Sequence, residues 1–207
     1  CTMNVTVATE MIRNHYGLSH HQYEKAAAKV PVASEGLMLL PYLEGERTPN
    51  VPEGTGVWFG VNSRTHSTGH FARAAMEGVT LGMNYGLRRL AILGVKARQI
   101  RATGGGAKSK LWRQIMADVF NAEVVTLAVG EGAAYGAALQ AMWCRRRKCG
   151  ENISISDLSD RFVKLNDGQT ARPKKRIVAI YREIQAIQGD LSASLRGAFS
   201  SRSKLFL

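Results

Sequence analysis

The stretch RATGGGAKSKLWRQIMADVF, residues 101–120, indicates what kind of fold the chain adopts. Three consecutive glycines, Gly104 to Gly106, follow a short β-type run and precede a serine and an amphipathic run. Four apolar residues of that run recur at helical spacing, namely Trp112, Ile115, Met116 and Val119. The pattern predicts a strand, a glycine turn and a helix capped by Ser109.

The glycine turn has two physical interpretations. In open α/β sheets, ligands bind where a strand ends and the next helix begins, and a glycine lets them approach the backbone closely. The start of the helix would add N–H groups that suit a phosphate. Alternatively, the turn is only a tight connection, because GGGAKS has neither the GxxxxGK[ST] nor the GxGxxG spacing. The turn by itself leaves both interpretations open.

The surrounding segments predict an α/β domain. Strand-like patterns occupy residues 36–43, 99–106 and 123–129. Helical patterns occupy residues 4–16, 22–29, 68–93, 110–120 and 131–147, and a closing helix starts near Pro173. Strands that alternate with helices imply at least one parallel crossover. The loop 44–56 is rich in proline and glycine, so we expect it on the surface, with Glu46 and Arg47 fixing it through an ion pair or backbone hydrogen bonds.

Two of the predicted helices carry stripes that indicate how they pack. Gly78, Gly82 and Gly86 recur every four residues on one helical face. Because a glycine inside a helix costs roughly 1 kcal/mol relative to alanine, this stripe predicts the close approach of another backbone, best supplied by a sheet. The closing helix carries an apolar stripe that we expect to pack on the domain: Ile177, Ile180, Tyr181, Ile184 and Ile187.

Composition restricts the function only loosely. The chain has 28 Lys and Arg against 16 Asp and Glu, a net charge of +12, with basic runs at 144–149 and 171–176. A basic face suits nucleic acid, but no recognition motif or interleaved aromatic residue accompanies these runs, so charge alone does not favour that function. The three cysteines lack metal-site spacing, and no long apolar run predicts a membrane span. We therefore expect free thiols and a cytoplasmic protein.

Four segments, taken together and in order, resemble one protein family. They are LPYLEGERTP (40–49), FARAAMEGVTLGMNYGL (71–87), TGGGAKSKLWRQIMADVF (103–120) and EGAAYGAALQA (131–141). They resemble the C-terminal domain of the FGGY carbohydrate kinases, and the form GGGAKSxxWRQxxADV is most similar to the D-xylulose kinases. The resemblance divides the chain into a partial nucleotide-binding domain, 1–143, and a basic helical extension, 144–207, packed on the same domain.

The resemblance implies an α/β fold of the actin-like ATPase (ribonuclease-H-like) type, incomplete at its N-terminal side. It also implies phosphoryl transfer from ATP, with Mg²⁺, to a ketopentose hydroxyl, D-xylulose being favoured over the other sugars of the family. The nucleotide would lie against Gly104, Gly105, Gly106, Ala107, Ser109 and Lys110. Glycerol kinases of the family have an asparagine near the position of Lys110. This sequence departs from them there, so the hydrogen bond from a side-chain amide to adenine does not carry over. Lys110 would instead lie along the base or reach solvent.

The same resemblance places the catalytic aspartate upstream of Cys1 and the sugar site largely in an N-terminal domain. We therefore expect no catalytic residue and no metal ligand in this chain, which would be inactive alone. An exposed sheet edge would favour a homodimer or a partner fragment. Two alternatives from other classes are a non-catalytic actin-like nucleotide-binding regulator or scaffold and a basic nucleic-acid-binding module.

Overall fold

The computed structural model describes residues 1–206, so Leu207, the last residue of the predicted extension, lies outside the described part. The helices are α1 (Thr6–His15), α2 (His20–Ala28), α3 (Thr68–Ile92), α4 (Lys110–Phe120), α5 (Gly132–Lys148), α6 (Ile155–Phe162), α7 (Lys175–Ser194) and α8 (Arg196–Phe206). The strands are β1 (Met38–Pro41), β2 (Gly56–Phe59), β3 (Gln99–Ala102), β4 (Glu123–Leu127) and β5 (Leu165–Ala171). None of these helices has the length and apolar character needed to cross a membrane.

The strands form two small sheets. In the larger sheet the order is β3-β4-β5, and β3 and β4 run parallel with Ile100 opposite Val124. Helix α4 connects these two strands, which confirms the predicted parallel crossover. Strand β5 pairs antiparallel with β4, and its register shifts between Val124 and Thr126. Strands β1 and β2 form an antiparallel pair with Leu39 opposite Trp58.

Helix α3 is the centre of the main hydrophobic cluster, which includes residues of α1, α2, β1, α4, β4 and α7. The predicted close approach is confirmed at Gly78, because a Cβ there would overlap the carbonyl oxygen of Leu39 in β1. The prediction is wrong for Gly82, where a Cβ would meet nothing within 4 Å, and Gly86 makes only ordinary contact with Thr48. The sheet therefore approaches α3 along the N-terminal half of the glycine stripe.

The predicted face of helix α7 is confirmed in part, because Tyr181 is buried and Ile177 and Ile184 pack against the main hydrophobic cluster. The buried residues of α7 are Val178, Tyr181, Gln185, Gln188 and Ser192, whereas Ile187 is 45% exposed. Two glutamines lie on the buried face because Gln188 Nε2 donates to the carbonyl oxygens of Leu39 and Gly78, each at 3.2 Å. The hydrogen bonds from Gln188 to the backbone of β1 and α3 thus help to orient α7.

The loop between β1 and β2 is partly buried, contrary to expectation. Glu46 lies inside it, and its carboxylate accepts hydrogen bonds from Met3 N at 2.9 Å and Asn4 Nδ2 at 3.2 Å. The backbones of Glu46 and Val51 also exchange two hydrogen bonds. The predicted role of Glu46 in fixing the loop is confirmed, and the loop closes over the N-terminal residues rather than extending into solvent.

A buried carboxylate joins three elements around α3. Glu77 is 4% exposed and accepts hydrogen bonds from Arg73 Nε and Tyr181 OH at 2.7 Å each, from Ala33 N at 3.0 Å and from Ser34 Oγ at 2.9 Å. Burial raises the pKa of Tyr181, and the nearby Glu77 carboxylate raises it further, so the phenol stays protonated and donates. Glu77 therefore links α3 to α7 and to the turn Val32–Gly36.

We expect Glu77→Gln to lower the free energy of unfolding by about 3–5 kcal/mol, because it leaves the buried Arg73 guanidinium without its carboxylate. The new amide NH₂ would also face donor groups. Urea unfolding followed by circular dichroism measures this loss. The control is Glu10→Gln, which removes the part-exposed 2.8 Å pair with Arg13 and should cost no more than about 1 kcal/mol. Similar losses in the two variants would contradict the role given to Glu77.

Candidate functional site

The glycine turn has a defined backbone geometry between β3 and α4. Gly104 has φ +89°, a conformation that favours glycine, and residues Gly105–Lys108 form one 3₁₀ turn. Within the turn, Ala107 N donates to Gly104 O and Ser109 N donates to Gly106 O, each at 3.2 Å. Ser109 Oγ accepts from Trp112 N at 3.1 Å, which confirms the predicted cap of α4.

The second and third glycines of the turn meet different surroundings. A Cβ on Gly106 would lie 3.0 Å from the ring of Trp112. That ring is fixed, because its Nε1 donates to Thr80 Oγ1 of α3 at 2.9 Å. A Cβ on Gly105 would meet nothing within 4 Å, and Gly105 is exposed. Gly106 therefore makes room for Trp112, while Gly105 leaves its surroundings open.

A cavity of about 70 Å³, lined by both apolar and polar residues, lies beside the turn, at the carboxyl ends of β3 and β4. Its lining residues are Ala102, Thr103, Gly104, Ala107, Lys108, Thr126, Leu127, Gly130 and Gln169. Of the six predicted nucleotide contacts, Gly104 and Ala107 line this cavity, and Gly105, Gly106, Ser109 and Lys110 belong to the adjoining turn and helix start. Lys110 is exposed.

Sequence reasoning missed several polar residues of this cavity. Thr126 is buried and its Oγ1 donates to Gln169 Oε1 at 3.2 Å. Thr103 Oγ1 donates to Gly130 O at 3.2 Å, which ties the end of β3 to the loop after β4. Gln169 had no signal in the sequence, because it lies on β5, a strand that was not predicted. Thr103 and Gly130 follow predicted strands, so their position at the strand ends was the signal available.

The first turn of α4 offers fewer free N–H groups than the sequence suggested. Leu111 N donates to Glu24 Oε1 of α2 at 2.9 Å, and Trp112 N is taken by Ser109. A carboxylate of the protein already complements the positive end of the helix. The suggestion that a phosphate lies on this helix start is therefore wrong for these two amides, which already have partners within the protein.

The carboxylate of Asp118, near the C-terminal end of α4, has structural partners. Asp118 is buried, and its carboxylate accepts from Lys174 N at 2.7 Å and from Gln114 Nε2 at 3.1 Å, which fixes α4 against the start of α7. The cavity lining contains no carboxylate among the described residues. Among the side chains that the structure describes, no group of three or more His, Cys, Asp or Glu is arranged to hold a metal ion. A larger cavity, of about 200 Å³, lies between α3 and α7 and includes none of the six predicted contacts.

Comparison with known proteins identifies the family. Residues 6–144 match the C-terminal domain of the FGGY family of carbohydrate kinases. The chain belongs to this family. The match includes α3, the glycine turn, α4 and most of α5, so the elements that form the cavity from β3 and β4 are those of the family domain.

Relatives of the chain are kinases for sugars and sugar acids. It is 36% identical over 182 residues to a xylulose kinase of Haemophilus influenzae, covering 88% of this chain and 36% of that relative. A solved ligand-bound xylulose kinase from Lactobacillus acidophilus superposes with a TM-score of 0.85 at 25% identity, over 97% of this chain and 40% of that one. A gluconate kinase from the same organism gives 0.84 at 25% identity, with the same coverage. The chain therefore has the actin-like sugar-kinase fold and spans about two fifths of these proteins.

We expect Gly106→Val to lower the free energy of unfolding by about 1–3 kcal/mol, since the added side chain overpacks the Trp112 ring. The matched variant Gly105→Val adds the same atoms where no neighbour lies within 4 Å, and it should change stability by less than about 1 kcal/mol. Chemical denaturation of the two variants beside the parent chain measures both effects. Equal losses would show that Trp112 is not the reason for glycine at position 106.

Proposed function

We propose that this chain supplies the nucleotide-binding wall of an ATP-dependent sugar kinase that transfers a phosphoryl group from MgATP to a ketopentose hydroxyl. The observation that carries the proposal is the exposed glycine turn beside a cavity at the carboxyl ends of parallel strands, in a chain of a carbohydrate kinase family. D-xylulose is the proposed substrate, because the relative at 36% identity and the structure at TM-score 0.85 are both named xylulose kinases.

Six residues form the proposed contact surface for the nucleotide. Gly104, Gly105, Gly106 and Ala107 present backbone, and Gly105 has open space where a side chain would otherwise lie. Ser109 and Lys110 continue the surface along the start of α4. Thr103, Thr126 and Gln169 add hydroxyl and amide groups, which suit ribose hydroxyls and base edges.

The phosphates need other partners. Phosphoryl transfer requires Mg²⁺ to neutralise phosphate charge and a carboxylate beside the accepting hydroxyl. The described residues of the cavity include no carboxylate, so they do not fit a Mg²⁺ site. We therefore place the metal, the general base and the sugar site on other parts of the kinase, and assign adenosine recognition to this wall.

The two proposed segments of the chain form one packing unit. Tyr181 of α7 belongs to the main hydrophobic cluster, and Ile177 and Ile184 pack against it. Trp143 Nε1 of α5 donates to Ile153 O at 2.9 Å, which connects α5 to α6. These contacts support the proposal that the basic segment 144–207 packs on the domain formed by 1–143.

One surface of this unit is proposed to meet another domain or a second copy of the chain. In the described residues β3 pairs only with β4, so its other edge is unpaired. The end of α3 and the following residues expose Ile92 (75%), Leu93 (78%) and Val95 (57%). An unpaired strand edge and exposed apolar side chains favour association, which supports the proposal that the rest of the kinase, or a homodimer, covers this surface.

Titration of MgADP into the chain tests the nucleotide site. We expect measurable binding with a dissociation constant weaker than about 1 µM, because one wall supplies only part of the contacts. Gly105→Val should weaken binding at least about tenfold, since its side chain would occupy the open space at the turn. The matched control is Gly136→Val, at a second exposed glycine with no neighbour within 4 Å and outside the cavity.

Calorimetry at MgADP concentrations up to about 1 mM measures these affinities. No binding by the parent chain in that range would contradict the proposed nucleotide wall. Equal weakening by Gly105→Val and Gly136→Val would assign the effect to general perturbation rather than to the turn. Retained MgADP binding by Gly105→Val would show that the nucleotide does not lie against the glycine turn.

The chain by itself is expected not to phosphorylate D-xylulose, because no carboxylate lines the described cavity to accept the sugar proton. A coupled assay of ADP release with D-xylulose and MgATP measures the turnover, with a full-length xylulose kinase as the positive control. Turnover above the rate without protein, lost in Gly105→Val, would mean that the chain carries both the base and the sugar site.

A further inference from the structure

Two arginines are buried in this chain, and their partners differ. Arg73 is 6% exposed and forms an ion pair with Glu77, with 2.7 Å between Nε and Oε1. Arg113 of α4 is 7% exposed, but it takes part in none of the ion pairs between described side chains. Since a buried charge without a counter-ion is costly, Arg113 needs strong hydrogen-bond acceptors or a role that offsets its cost.

The acceptors of Arg113 belong to the glycine turn. Nη1 donates to the carbonyl oxygen of Ala107, at 2.6 Å, and to that of Lys108, at 3.0 Å. These are the last two residues of the 3₁₀ turn, immediately before the cap Ser109. The guanidinium therefore holds the inner side of the turn from the helix that follows it, while Gly105 on the turn remains exposed.

Three glycines would otherwise make this turn costly to order. Glycine loses more backbone freedom on folding than any other residue, so ordering three glycines in succession carries a high cost in conformational entropy. The turn contains two 3.2 Å backbone hydrogen bonds, Ala107 N to Gly104 O and Ser109 N to Gly106 O. Hydrogen bonds from a charged donor are stronger than neutral ones, so those of Arg113 are well suited to fix the turn before any ligand arrives.

We infer that Arg113 is a positioning residue for the nucleotide: its guanidinium preorganises the glycine turn through the Ala107 and Lys108 carbonyl oxygens. The expected effect of Arg113 on nucleotide binding rests on the proposed nucleotide site, whereas its effect on the order of the turn does not. Arg113 does not touch the open side of the turn. Because Arg113 orders the turn beforehand, nucleotide binding avoids the loss of conformational entropy that an unrestrained turn would undergo.

Amide hydrogen exchange of the full chain tests the inference without any ligand. In Arg113→Met the amides of Ala107 and Ser109 should exchange about tenfold faster relative to the rest of the chain, the size expected for losing hydrogen bonds from a charged donor. Arg113→Lys keeps the positive charge and one donor nitrogen on a side chain that is one bond shorter, so the exchange rate should be intermediate. NMR or mass spectrometry resolves the turn from β4 and α3.

The control for general destabilisation is Tyr42→Phe, which removes a buried 2.9 Å hydrogen bond to Ser192 in the smaller hydrophobic cluster. It should not single out the amides of the turn. Faster exchange spread evenly over the chain in Arg113→Met would overturn the inference, as would unchanged exchange at Ala107 and Ser109. If Arg113→Met does not fold, Arg113→Lys decides by the same two amides.

MgADP titration separates the inference from the proposed function. If the parent chain binds MgADP, Arg113→Met should weaken it about tenfold and Arg113→Lys should restore part of the loss. If the parent chain does not bind, the proposed nucleotide wall fails, and the exchange rates still decide whether Arg113 orders the turn. Unchanged MgADP affinity in a variant with a loosened turn would overturn the positioning role.

Discussion

The buried carboxylate of Glu77 is the interaction on which the rest of the structure depends. It fixes α3 against α7 and against the turn before β1, and Gly78 next to it lets β1 come into backbone contact. Two residues further along α3, Thr80 accepts the indole hydrogen of Trp112, which orients α4. The Trp112 ring in turn leaves no room for a side chain at position 106. A continuous series of contacts therefore leads from one carboxylate to the glycine turn.

This series separates the structural and the ligand-facing sides of the turn. Gly106 faces Trp112, and Arg113 holds the carbonyl oxygens of Ala107 and Lys108, so the inner side is committed to the fold. Glu24 takes Leu111 N and removes part of the attraction of the helix start for anions. What remains open is Gly105 and the cavity beyond Gly104.

The sequence predicted most of this arrangement, and the parts that it missed share a physical cause. The cap at Ser109, the apolar face of α4 and the parallel crossover follow from local periodicity and capping, which neighbouring residues determine. Strand β5, LNDGQTA, has no apolar alternation and forms because an edge of β4 is available to it. On α7 the burial of Gln185 and Gln188 was not predicted, because their partners are carbonyl and amide groups distant in the sequence. Gln169 of the cavity was missed for the same reason, because it lies on β5.

The distribution of burial decides what the isolated chain retains of the site. The packing around α3 orders the turn from its helical side, with contributions from α2, α4 and α7. On the sheet side, β3 is an edge strand within the described residues, and α5 buries only Leu139. Whatever lies beyond that edge is therefore not needed to form the turn. Weak nucleotide affinity in the isolated chain would then reflect missing partners around an ordered turn, because the groups that order it, Trp112 and Arg113, are already in place.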